Sequence, residues 1–361
     1  MKLGGFYIIG SAAKKPATSA AIFADGSADE SYDSERDLEL SHWIPNRTPT
    51  RYKADTSTEI CMNFAAESPQ GAWDLALNNH VDVDGILSVF TLVHSDFALD
   101  HRAAIVQAAE MGDFWGWGER RAQILFQGLT LFMNGLQQEK RDVQEIYHLS
   151  FDRVRLLILG DHDRDPAIQD GLRALEASLE RLADRRIQRL EHHSRLVQYC
   201  VPASMAENHW REILAVPHFN APFGDGNFLW PQARNRIDKE RIQLLSIETG
   251  HGWYHDLWYP GYMWADTPRS WRAPGLKFSG STNGYYYAHE AVVRAVEQLQ
   301  ECEQGKGRWI LADEVTPFST IKGRNFPVVL SCMNDQGEPE ESSVSPDRVA
   351  FVLGPAFKVS L

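Results

Sequence analysis

Long apolar runs are missing from this chain. No stretch of its 361 residues approaches the roughly 20 apolar residues that a membrane span needs. The short run Phe6 to Ile9 is too brief for the core of a signal peptide, and Lys14-Lys15 soon follow. A cytoplasmic protein is the expectation. Cysteine is scarce: Cys61, Cys200, Cys302 and Cys332 lie far apart and form no CxxC pair. That excludes a zinc ribbon or a dithiol redox motif and suits four reduced thiols. Positive charge is in short supply, with 36 Lys and Arg against 49 Asp and Glu and a formal net charge of -13. A broad nucleic-acid surface is normally basic, and anionic membranes attract basic segments, so both partners are disfavoured. A small phosphorylated substrate, held by a metal and a few arginines, stays compatible. There is no internal repeat and no low-complexity tract.

What is present fits an ordinary globular protein, 43% hydrophobic and 24% charged. Single cores rarely grow beyond roughly 250–300 residues, so two domains are expected. The composition changes near residue 200, where aromatics, Gly and Pro begin to concentrate, up to Tyr287. We read residues 1–199 as an α/β domain and 200–361 as an aromatic-rich α+β domain for substrate or accessory use. Oligomeric state stays open.

Along the first domain, Phe6 to Ile9 reads as a strand or ordered tail and residues 10–36 as loop. Leu38 to Trp43 reads as a short strand. Thr56-Ser57 suits a helix start, with Asp55 as a further N-cap candidate. Trp73 to Leu77 reads as a buried strand, and Ile86 to Val93 as a helix. Helices are expected over Asp100 to Met111 and Arg120 to Gln138. Val154 to Leu159 is a strand or the end of a helix from Asp142. A long amphipathic helix from Ala167 to about Val197 could join the domains, with His192-His193 solvated on it. Beyond it, Ile242 to Ile247, Trp309 to Ala312 and Val349 to Leu353 read as strands, and Ala288 to Cys302 as a helix.

The chemistry concentrates in Asn79-His80-Val81-Asp82-Val83-Asp84-Gly85, where a strand turns into a helix. In open α/β sheets ligands gather at the carboxyl ends of strands. Alternate side chains of an extended segment share a side, so His80, Asp82 and Asp84 converge. Two carboxylates and an imidazole crowded together call for a cation. That donor set suits Mn²⁺ or Mg²⁺, with Zn²⁺ or Fe²⁺ as alternatives. Gly85 would let the backbone turn tightly, and the helix N-terminus would favour a phosphate. The competing reading is a polar turn with an Asp N-cap.

His80-Val81-Asp82-Val83-Asp84-Gly85-Ile86-Leu87-Ser88 resembles the first motif of the DHH phosphoesterase family. The resemblance implies a parallel-sheet α/β domain, usually two Mn²⁺ ions, and hydrolysis of a phosphoester or phosphoanhydride. Asp82 and Asp84 match the metal-ligand positions of that motif, His80 its leading His and Ser88 its nearby Ser. The namesake Asp-His-His triplet is absent; the nearest segment is Asp161-His162-Asp163, which makes Asp161 a ligand candidate and His162 a catalytic one. Asp113 corresponds to the family's intermediate acidic motif. The glycine-rich C-terminal motif is missing, with Gly250-His251-Gly252 only a faint echo. Leu40-Ser41-His42-Trp43 and Asp55-Thr56-Ser57, taken with the acidic motif, also resemble a group of uncharacterised bacterial proteins.

Three further candidates complete the expected site. His42, at a strand end, is a further ligand or a satisfied core histidine. Arg269 and Arg272, beside Trp271, could clamp a phosphate or carboxylate, or pair with surface acids. His251 and His255 sit among tryptophans, as a substrate wall or packed core. The expected function is a metal-dependent hydrolase of a small phosphorylated substrate. The alternative is a catalytically degraded binding protein on the same scaffold.

Overall fold

A computed structural model describes residues 3–68, 73–193, 195–271, 278–279, 286–313, 320–321 and 324–358. It is a mixed α/β structure with a parallel four-stranded sheet and a separate mixed six-stranded sheet. Two compact units are formed: residues 1–173 with 218–224 and 265–271, and the remainder of the chain. The expected boundary after residue 199 falls inside a strand of the second unit, Leu196–Val201.

In the first unit, strands β1 (Gly5–Ile8), β2 (Ala21–Ala24), β3 (Leu38–Leu40) and β4 (Leu75–Asn78) are ordered β1-β4-β2-β3 and run parallel throughout. Strand β2 lies in the stretch expected to be loop, and it is central. Its short alanine-rich run hides a buried strand, every residue of which is out of water. Helix α1 (Ser57–Glu67) lies between β3 and β4, and after β4 come α2 (Val83–Val93), α3 (Ser95–Asp100), α4 (Arg102–Asp113), α5 (Arg120–Gln138), α6 (Val143–Leu159) and α7 (Pro166–Ala183), whose residues from 174 on belong to the second unit. Helix α2 is apolar nearly all round and buried from Val83 to Leu92, which makes it the centre of this core. The helix expected over 100–111 is two helices, broken at His101, and the second extends to Asp113. Val154 to Leu159 belongs to α6, which starts at the N-cap Asp142 and stops at Gly160 in the left-handed region.

The long helix expected to reach Val197 ends at Ala183. The chain then forms strands β5 (Gln188–His193) and β6 (Leu196–Val201), so His192 lies on a strand and bonds Gln198 at 2.7 Å. With β7 (Ile242–Glu248) and β8 (Trp253–Trp258) they build the second sheet. Its order is Arg308–Leu311, Val328–Met333, β8, β7, β6, β5. Only β6 and β7 pair in parallel there. Val349 to Leu353 is helical rather than extended, because Ser345 caps a helix Pro346–Leu353 with proline in its first turn.

Candidate metal centre

Three adjacent strands of the parallel sheet end in polar residues. Asp25 follows β2, His42 lies two residues beyond β3, His80 and Asp82 lie on the turn from β4 into α2, and Asp84 is in the first turn of α2. Strand order places β2 between β4 and β3, so Asp25 stands in the middle. Two groups of donor atoms result, each within 4.8 Å: Asp25, His80 and Asp82, and Asp25, His42 and Asp84. Asp25 belongs to both.

Distances give the arrangement in detail. His80 Nε2 is 3.0 Å from Asp25 Oδ2 and 3.1 Å from Asp82 Oδ2. His42 Nε2 is 3.7 Å from Asp25 Oδ1, 3.6 Å from Asp84 Oδ2 and 3.2 Å from Asp113 Oδ2. Asp113 arrives from a different direction, as the last residue of α4.

Both imidazoles are oriented from behind. His42 Nδ1 is 2.7 Å from the Asp55 carbonyl oxygen, and His80 Nδ1 is 2.9 Å from Asn79 Oδ1. An oxygen there fixes the proton on Nδ1 and leaves Nε2 aimed at the carboxylates, which is how metal-binding histidines are commonly held. The carboxylates are positioned as firmly. Backbone N–H groups of Ser57 and Thr58, at the start of α1, donate to the two oxygens of Asp84 at 2.9 and 2.8 Å. Ser57 Oγ donates to Asp25 Oδ1 at 2.8 Å. Asp82 caps α2 by accepting from Gly85 N at 2.7 Å. Tyr147 Oη donates to the His80 carbonyl at 2.8 Å.

The charges do not balance within the protein. Burial drives the Asp84 carboxyl up, helped by repulsion from Asp25 and opposed by His42, to about 6. Burial and repulsion from Asp84 push Asp113 well above the carboxylate range. Burial works against the His42 cation, but its hydrogen bond to Asp113 and the fields of Asp84, Asp113 and Asp25 outweigh it and raise His42 to about 10. Burial likewise opposes ionisation of Asp25, yet the field and hydrogen bond of His80 hold it near 2. Four acids around two imidazoles need more positive charge than the imidazoles supply. The donor set of carboxylates and imidazoles with pinned Nδ1 atoms fits divalent cations.

The centre has a closed and an open end. The side chains of His42 and Asp84 are wholly inaccessible, while those of His80 and Asp82 are 24% and 19% exposed. The Trp43 ring stands 5.3 Å from that of His80, and the Phe114 ring 5.7 Å from that of His42. These apolar walls strengthen the electrostatics between them.

Of the sequence-derived candidates, His80, Asp82, Asp84, His42 and Asp113 are brought together. Asp161 and His162 join neither group; they lie on the turn after α6, where neighbouring Asp163 binds Arg121 at 2.5 and 2.9 Å. Ser88 is fully buried one turn after Asp84, 3.3 Å from Thr58 Oγ1, a packing position without access for substrate. Arg269 pairs with Glu59 at 3.3 Å on a half-exposed side chain. Arg272 lies outside the described residues. Asp55 is not the cap of α1, a role Thr56 takes. Its carboxylate instead accepts the backbone N–H groups of Arg269, Ser270 and Trp271. His255 is buried core on β8. Asp25 escaped the sequence reading. Its signal was the apolar run Ala20 to Ala24 ending directly in Asp25-Gly26, an Asp-Gly pair like Asp84-Gly85.

Fold and site together define an α/β parallel-sheet protein with a histidine and aspartate cluster at its strand ends. The chain belongs to the Family of unknown function (DUF6687), whose model it matches over residues 9–205, more than half its length. The match spans every residue of the cluster. No curated protein and no solved structure matches the chain. Among the described residues no helix is long and apolar enough to cross a membrane.

Proposed function

We propose that the first unit holds two divalent metal ions and hydrolyses a phosphoester or phosphoanhydride bond of a small substrate. His80 and Asp82 would hold the first ion and His42, Asp84 and Asp113 the second, with Asp25 contributing to both. The single observation that carries this reading is the shared Asp25, which belongs to both donor groups. Mn²⁺ is the foremost choice for such a donor set, with Mg²⁺, Zn²⁺ and Fe²⁺ as alternatives. Paired ions of this kind lower the pKa of water and stabilise charge on attacking and leaving oxygens. The chain's own part is to fix both imidazoles by their Nδ1 atoms, to hold Asp84 on the start of α1, and to keep water from the His42 end. Substrate enters at the exposed His80 and Asp82 end, beside Trp43.

The likeness of His80 to Ser88 to the first DHH motif supports this reaction class. One observation favours a second reading, a binding protein without turnover: Asp161 and His162 contribute nothing to the cluster. Phosphate release from pyrophosphate and nucleotides in the presence of Mn²⁺ separates the two. The hydrolase reading expects turnover that Asp84→Ala abolishes. A protein that binds Mn²⁺ and releases no phosphate from any of them supports the binding reading.

A further inference from the structure

Among the described residues of the second unit, one buried positive charge has no acid bound to it. On β8, Asp256 and Trp258 are two residues apart and so share one face of the sheet. Gln243 stands opposite Trp258, and Ser331 opposite Asp256. The helix Pro231–Asp238 lays the Arg234 guanidinium on this face, 4.1 Å from the Trp258 ring centroid. Arg234 is only 1% exposed. Its Nη1 donates to the neutral Gln243 Oε1 at 2.9 Å. The nearby acids are committed elsewhere: Asp256 to Arg324 and Ser331, and Asp238 to Arg189, Arg241 and Tyr199. Among the described residues, three buried N–H groups of this region have no acceptor: Arg234 Nε, Trp258 Nε1 and Arg324 Nε. An unpaired buried donor destabilises the fold, and more so when it is charged. Burial lowers the Arg234 pKa to about 10, which leaves it cationic at neutral pH.

We infer that this face binds an oxyanion group of a small molecule, a phosphate or a carboxylate, through Arg234 and Trp258 with Arg324 at the edge. A guanidinium offers its N–H groups in a planar fork that matches two oxygens of one anion. One bound anion supplies the missing countercharge and accepts from Nε of Arg234 and from the indole. Anion recognition by these residues needs no metal and does not rest on the reading of the first unit.

The test uses the full chain with a chelator present and potassium chloride holding ionic strength constant. Thermal unfolding and tryptophan fluorescence are followed against inorganic phosphate and against acetate. A saturable rise in melting temperature with either anion is expected, and the stronger response assigns the group. Trp258→Phe, which removes one N–H and keeps a ring, and Arg234→Lys should each weaken the response by about tenfold or more. If Arg234→Lys does not fold, Trp258→Phe alone decides. No saturable response to either anion, or an undiminished one in Trp258→Phe, overturns the proposal.

Discussion

Gly85 shows how little room the histidine and aspartate cluster leaves. A Cβ added there would meet Asn78 Nδ2 at 2.7 Å, Tyr147 Oη at 2.8 Å and Asp82 Oδ1 at 2.9 Å. From the sequence this glycine suits a tight turn, whereas the structure shows the requirement to be space beside Asp82. Gly85→Ala should therefore cost about 1–3 kcal/mol through overpacking. It should also displace Asp82 and weaken metal binding at the exposed end. Melting curves and a Mn²⁺ titration of the variant check both; unchanged affinity would show that Asp82 is not a ligand. At this scale the acidic motif was legible because three donors fall on alternate residues of one short segment. Asp25 and His42 come from other strands, and nothing local in a sequence says which strand ends become neighbours.

Helix α1 does two jobs. Its N-cap Thr56 accepts from Glu59 N at 3.1 Å, and its first free N–H groups hold Asp84. Thr56→Ala should cost about 1 kcal/mol, the usual worth of a cap. Because the same turn positions Asp84, metal affinity should fall with it. Denaturant unfolding together with metal titration tests the coupling; stability lost at constant affinity would separate the two roles. Helices with long apolar periodicity, such as α5, were legible from the sequence alone. The failures have local causes. Strand β2 has four residues, two of them alanine, with little intrinsic preference for a strand. The segment 349–353 is apolar enough for a strand, and the deciding signal was Ser345-Pro346 ahead of it. Beyond Ala183, leucines at helical intervals continue into strands, because tertiary pairing with β6 overrides the periodicity.

For the whole molecule, acid should weaken the second unit through His255. This residue is buried, its Nδ1 3.0 Å from Ser246 Oγ and its Nε2 2.9 Å from the Val344 carbonyl oxygen. Burial lowers its pKa to about 4, only partly opposed by the bond to Val344 and by Glu303. A depressed histidine pKa means that the folded state prefers the neutral ring. Its stabilisation is whole above the unfolded value of about 6.5 and is lost as pH falls towards 4. The loss is on the order of 3 kcal/mol once the ring is protonated in both states. Unfolding measured at pH 7 and pH 4.5 should show the drop, and His255→Gln should flatten it. An equal slope in the variant would place the acid sensitivity elsewhere.

The proposed centre depends on two ions sharing Asp25, and metal stoichiometry measures that most directly. The purified chain, loaded with Mn²⁺ and freed of excess, should carry two ions per chain by elemental analysis. Asp25→Asn should lose both while keeping its fold. A wild-type chain that retains no metal after loading, or an Asp25→Asn variant that still carries two ions, would contradict it.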